Sequence, residues 1–209
     1  MGENIVITIA RQYGSGGKTI GAMLAKELGI NCYSREILKM ASEESGINEG
    51  LFGMSDEKIK KAPWFKILNR PYDGELLTPE DRDFVSDDNL FNYQAKVIQD
   101  LAEKESCVIV GRCADYVLGD YSNVINTFIY AYKDDRLNRI MDIYKLTEKQ
   151  AADKIKKTDR ERKLYYEART GREWGGIESN SMLFNTSLLG IDGVTDALEA
   201  IYRKWESRG

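Results

Sequence analysis

The chain has 209 residues, 42% of them apolar and 31% charged, with a formal net charge of −4. That length allows one domain with an inserted lobe or two very small domains, and the weakly acidic balance gives no pull toward nucleic acid or an anionic membrane. No apolar run approaches a membrane span, no basic-then-apolar leader opens the chain, and the complete lack of histidine excludes Ser-His-Asp and Cys-His catalysis and argues against a catalytic zinc site.

The first element is a short apolar run, Ile5 to Ala10, that reads as a buried strand. A loop with Gly14, Gly16 and Gly17 follows, then Lys18 and Thr19, then a helical pattern with Ile20, Met23, Leu24 and Leu28 on one face. Strand, glycine loop, Lys-Thr and helix is the layout of a phosphate-binding loop. Its glycines let backbone N–H groups converge on phosphate oxygens, and the helix N-terminus adds positive potential. Lys18 is expected to reach the outer phosphates, and the Thr19 hydroxyl to ligate magnesium. Gln12 stands where the G-x-x-x-x-G-K-[ST] pattern asks for its first glycine. A mobile glycine turn with an incidental lysine is the plainer alternative, and it fits the flanking strand and helix less well.

Gly29 suits a helix C-cap, and Ile30 to Tyr33 reads as a second short strand. Ser34 is then expected to cap a helix beginning at Arg35. An arginine just past a strand in an open α/β sheet lies near the binding crevice, so Arg35 is a candidate phosphate contact, or else a solvated helix-start cation. Residues 42 to 88 change character. Pro63, Pro71 and Pro79 all fall here, beside Trp64 and Phe65, and an acidic run extends from Asp73 to Asp88. Helical patches are expected only around Ser55 to Lys61. The segment reads as an inserted lobe or flap outside the sheet.

A strong amphipathic helix starts near Asp88, with Leu90, Gln94, Val97, Ile98 and Leu101 on one face. It leads into a third strand, Cys107 to Val110, which ends in Gly111-Arg112. Glycine permits close approach to the backbone, and a guanidinium at the carboxyl edge of a sheet suits a bidentate phosphate grip. The bland role for Arg112 is an ion pair with Asp115. Cys32, Cys107 and Cys113 are odd in number and lack metal spacing, as expected for reduced thiols in a cytoplasmic protein. Val124 to Ala131 reads as a fourth, central parallel strand. Asp134 and Asp135 suit the start of the next helix, and Thr147 to Gln150 has the form of a capping box. Between Lys133 and Arg172 there are thirteen Lys/Arg against eight Asp/Glu, so part of this hairpin is expected to close as a lid over phosphates while most of its charges are solvated. The Tyr165 to Trp174 stretch, before Gly175 and Gly176, offers rings for stacking a base or for packing a loop. Ser181 to Asn185 reads as a fifth strand, and a last helix carries Val194, Leu198, Ile201, Tyr202 and Trp205 on one face.

Taken together, Ala10 to Ile20, the Tyr-Ser-Arg-Glu of 33–36, Val108 to Asp115, the Asp-Arg-Glu-Arg of 159–162 before Tyr165-Tyr166, and Asn185 to Gly190 resemble the cytidylate kinase-like branch of the nucleoside monophosphate kinases. The likeness covers almost the whole chain except 42–88. It implies a three-layer α/β/α P-loop NTPase fold with a five-stranded parallel sheet: a core of 1–41, 88–146 and 177–209, an inserted acceptor lobe or flap at 42–87, and a helical lid at 147–176. It implies phosphoryl transfer from ATP with Mg2+ to a small-molecule substrate, CMP or dCMP. By position, Gly14, Ser15, Gly16, Gly17, Lys18 and Thr19 would hold the donor, Arg35 and Arg112 the acceptor phosphate, and Arg160 and Arg162 the transferring group. Asn185 stands where cytidylate kinases often have an aspartate. A regulatory nucleotide binder of the same fold and a kinase with a non-nucleotide acceptor are the rival readings.

Overall fold

Five strands pair in parallel in the order β2-β3-β1-β4-β5. The computed structural model describes residues 4–61 and 74–207. The strands are β1 (Val6–Arg11), β2 (Asn31–Tyr33), β3 (Cys107–Val110), β4 (Val124–Tyr130) and β5 (Met182–Asn185). The helices are α1 (Gly17–Leu28), α2 (Glu36–Ser45), α3 (Glu49–Lys61), α4 (Asp87–Lys104), α5 (Ala114–Val117), α6 (Lys133–Tyr144), α7 (Glu148–Thr170) and α8 (Thr186–Glu206). The chain crosses from β1 to β2 in one direction, then reverses through β3 to β4. Right-handed crossovers in opposite directions put their helices on opposite faces of the sheet. Ile7, Ile9, Val108, Val110 and Ile125 therefore pack with Ile20 and Leu24 of α1 and with Val194 and Leu198 of α8. Val6, Cys107, Ile109 and Val124 pack on the other face with Ile37, Phe52, Ile98 and Tyr166. Burial on both faces is why these strands are continuous apolar runs rather than alternating ones.

The expected elements are present with small shifts. α3 runs from Glu49, well before the patch expected at Ser55, and Phe52 is fully buried against α2 and α4. The part of the expected 42–87 lobe that covers residues 62–73 lies outside the described residues. Part of the acidic run starts α4, where Ser86 caps and Asp87 and Asp88 occupy the first turn. Ser34 does not cap α2. Arg35 takes the N-cap position without a side-chain bond, while the Glu36 carboxylate reaches back to accept from the Ser34 N–H at 2.8 Å. The capping box at Thr147 and Gln150 forms in full. Asn185 caps α8 by accepting from the Ser187 N–H at 2.9 Å.

Candidate active site

The reversal of strand order falls between β1 and β3, so the crevice of this sheet opens at their carboxyl ends. The turn after β1 needs its glycines at specific places. Gly14 has φ +81° and Gly16 has φ +88°, where an L side chain is strained. Gly17 is required by space, since a Cβ there would lie 2.7 Å from the Arg11 Cβ. Gln12 is not in the left-handed region, so the first loop position asks for no glycine. Its N–H donates to Ile129 O at 3.0 Å, its Oε1 accepts from the Ala131 N–H at 3.3 Å, and its carbonyl accepts from Ser15 Oγ at 2.9 Å. Gln12 thus stitches β1 to β4 and folds the loop back on itself. Thr186 Oγ1 donates to Ser15 O at 2.8 Å and fixes the loop to α8. The first turn of α1 carries no acidic residue, which leaves its positive end unneutralised. Lys18 and Thr19 are exposed there.

The α6–α7 hairpin holds the other side of this loop. Asp159 accepts from the Tyr13 N–H at 2.6 Å and pairs with Arg136. Arg136 donates to Tyr13 O at 3.3 Å, Arg139 to Gly14 O at 2.6 Å and Arg162 to Arg11 O at 3.0 Å. The Arg162 guanidinium also lies 5.4 Å over the Tyr13 ring. The hairpin therefore grips the backbone of Arg11, Tyr13 and Gly14 with charged side chains, each a stronger tie than a neutral hydrogen bond.

The turn after β3 is strained. Gly111, Arg112 and Cys113 are consecutively left-handed, at φ +83°, +62° and +54°. For the two non-glycine residues this costs about 1–2 kcal/mol each. Burial pushes the Arg11 guanidinium down to about 9, and the nearby Arg162 and Arg112 cations push it further in the same direction. Burial also lowers Arg162, against the opposing pull of Asp159 and Tyr13. So Arg11, which the sequence reading does not single out, has Arg162 bonded to its carbonyl and its own guanidinium against Gly111, the neighbour of Arg112. Its signal was available: it is the charged last residue of an apolar strand, the same cue that singled out Arg35 and Arg112. Asp159, Arg136 and Arg139 had no comparable signal.

The other expected cations are exposed. Arg35 is exposed at the start of α2. Arg160 is exposed, about 200° round α7 from Arg162. Lys18 acts on Glu36, whose carboxyl is held low first by its own and the Ser34 backbone N–H groups. Asp115 receives the Tyr166 hydroxyl at 2.6 Å, and burial raises its pKa. The rings between Tyr165 and Trp174 are packing groups. Trp174 meets Phe128 edge-on at 5.3 Å and Tyr165 meets Phe91 at 6.5 Å, and a Cβ on Gly175 would strike Phe128 at 2.9 Å. Cys32, Cys107 and Cys113 are free thiols.

A model of the cytidylate kinase-like family matches residues 6–188. The crystal structure of an uncharacterized protein from Eubacterium ventriosum superposes with a TM-score of 0.67 at 28% identity, over 93% of this chain and 96% of that one. A shikimate kinase from Bacteroides thetaiotaomicron superposes with a TM-score of 0.52 at 12% identity, over 95% and 98%, a likeness of fold alone. No curated protein matches the sequence. The fold is that of the P-loop kinases.

Proposed function

The chain belongs to the cytidylate kinase-like family, and from that premise we propose that it moves the terminal phosphoryl group of ATP onto a nucleoside monophosphate, CMP or dCMP. The observation that carries this reading is a glycine loop at the start of α1, with the Arg162 guanidinium bonded to the Arg11 carbonyl before it and the Gly111-Arg112 turn against the Arg11 side chain. Phosphoryl transfer asks a protein for alignment and charge neutralisation rather than covalent chemistry. Gly14, Ser15, Gly16 and Gly17 would present backbone N–H groups to the donor, and Lys18 would bridge its outer oxygens. Arg112 and Arg35 would hold the acceptor phosphate. Arg162 already borders the loop, while Arg160, on the exposed side of α7, would join through a movement of the lid at 147–176. The acceptor lobe would be drawn from 42–87.

Among the described residues no three His, Cys, Asp or Glu side chains gather as a metal site. Magnesium fits this chain in the other way open to it, on the Thr19 hydroxyl together with donor phosphate oxygens and water. There it would neutralise charge on the donor phosphates. Among the described residues no helix is long and apolar enough to cross a membrane, and three free thiols accord with a cytoplasmic setting.

A coupled assay of ADP formation with ATP, magnesium and a panel of nucleoside monophosphates tests the reading, and CMP or dCMP is expected to give the highest kcat/KM. ATP binding without ADP formation on any acceptor would instead make the chain a regulatory nucleotide binder. ADP release stimulated only by a non-nucleotide alcohol or acid would make it a different small-molecule kinase.

A further inference from the structure

Arg11 ends β1 on the face that carries α1, and two glycines shape its seat. A Cβ on Gly17 would lie 2.7 Å from the Arg11 Cβ, and a Cβ on Gly111 would run into Arg11 Nη1. The side chain therefore spans from the start of α1 to the turn after β3, across the reversal point of the sheet. The charged groups that act on it are Arg162 and Arg112, both cations. Its Nε is buried without a hydrogen-bond partner. A half-buried cation beside two others is costly unless an anion joins it.

We propose that Arg11 is the fixed central cation of the transfer site, holding the phosphoryl group in transit between the donor in the glycine loop and the acceptor at Arg112. The inference rests on the transfer reading above and adds a residue that reading does not use. In the step, an anionic oxygen of the acceptor phosphate forms a bond to the γ-phosphorus. The bond from that phosphorus to the β–γ bridging oxygen breaks, and ADP departs with its electron pair. No proton moves, and Arg11 stays a cation throughout. Negative charge in such a transition state spreads over three equatorial oxygens, which a planar guanidinium matches with two parallel N–H groups. Unlike a lid side chain, Arg11 is held in place before any closure.

The test is calorimetric binding of ADP and magnesium to the full chain, with and without aluminium fluoride, which mimics the group in transit, in wild type, Arg11→Met and Arg11→Lys. In the wild type the fluoride is expected to tighten ADP binding by about 100-fold or more. Arg11→Met should lose most of that tightening, while its affinity for ADP alone changes by less than about threefold. Arg11→Lys keeps the charge without the fork and should lose at least about tenfold, so it carries the test if the methionine variant does not fold. Tightening that survives in both variants, tightening that is lacking in the wild type, or an equal loss for ADP alone overturns the proposal. A wild type that shows the Arg11-dependent tightening and yet phosphorylates no nucleoside monophosphate upholds this site and removes the acceptor reading, so the two fail separately.

Discussion

Two turns leave the carboxyl edge of the sheet side by side, after β1 and after β3, and they follow opposite rules. In the first, the left-handed positions are Gly14 and Gly16. That turn presents backbone, and any side chain would obstruct it. In the second, only Gly111 is a glycine, and Arg112 and Cys113 hold left-handed backbone at φ +62° and +54°. That turn presents a guanidinium, so it carries a side chain where the backbone favours none. The strain persists because the surroundings over-determine the turn. The Gly111 N–H donates to Ile9 O at 3.0 Å, the Ala114 N–H donates to Gly111 O at 3.2 Å, and Cys113 and Ala114 are buried in the core. Under the proposed function, backbone donors would hold one anion and side-chain cations the next.

The largest loss is expected for Lys18→Met. Lys18 is exposed, so the melting temperature should hold while ADP formation in the coupled assay falls by at least about 100-fold. Retained turnover would disqualify the first turn as the donor site. Next, Arg112→Ala should raise the acceptor KM, a loss of about 1.5–3 kcal/mol for one charge-assisted contact, with ATP affinity by calorimetry unchanged. An equal loss of ATP affinity would merge the two turns into one donor site. Gly14→Ala should cost about 1–2 kcal/mol in urea unfolding, because the alanine would be left-handed. Its Cβ would also press on Arg136 O and Ile140 at 3.1 Å, so ATP binding should weaken as well. The smallest effect has the opposite sign. Arg112→Gly relieves the strained backbone but adds unfolded-state entropy, so stability should stay level or rise by up to about 1 kcal/mol. Acceptor use should fall as it does for Arg112→Ala. A clear drop in stability would show that the second turn is not strained.

The strands were legible almost to the residue. The apolar run Cys107 to Val110 coincides with β3, and β1 is displaced by one position from its run. Each is an apolar run bounded by polar residues, and burial on both faces leaves that mark in a few consecutive positions. The capping box at Thr147 was equally plain, because both partners lie within one turn. Local signals also misled. Ser34 has the right chemistry for a cap, but the Glu36 carboxylate claims the backbone there. At Trp174 the chemistry leaves stacking and packing both open, and Phe128 meets the ring edge-on.

The amino-acid order alone determined which segments become strands and helices and where a glycine loop interrupts them, because those choices depend on neighbours a few residues away. Only the tertiary structure decided that Arg162 reaches the Arg11 carbonyl, that the Arg11 side chain lies against Gly111, and that Asp159 holds the Tyr13 N–H. β3 lies beside β1 only after the crossovers are made, and a hydrogen bond across 146 residues leaves no periodicity in the chain. The same geometry separates Arg160 from Arg162. A continuous helix turns residues two apart to opposite sides, and only the packing of α7 against the loop chose which of the two faces inward.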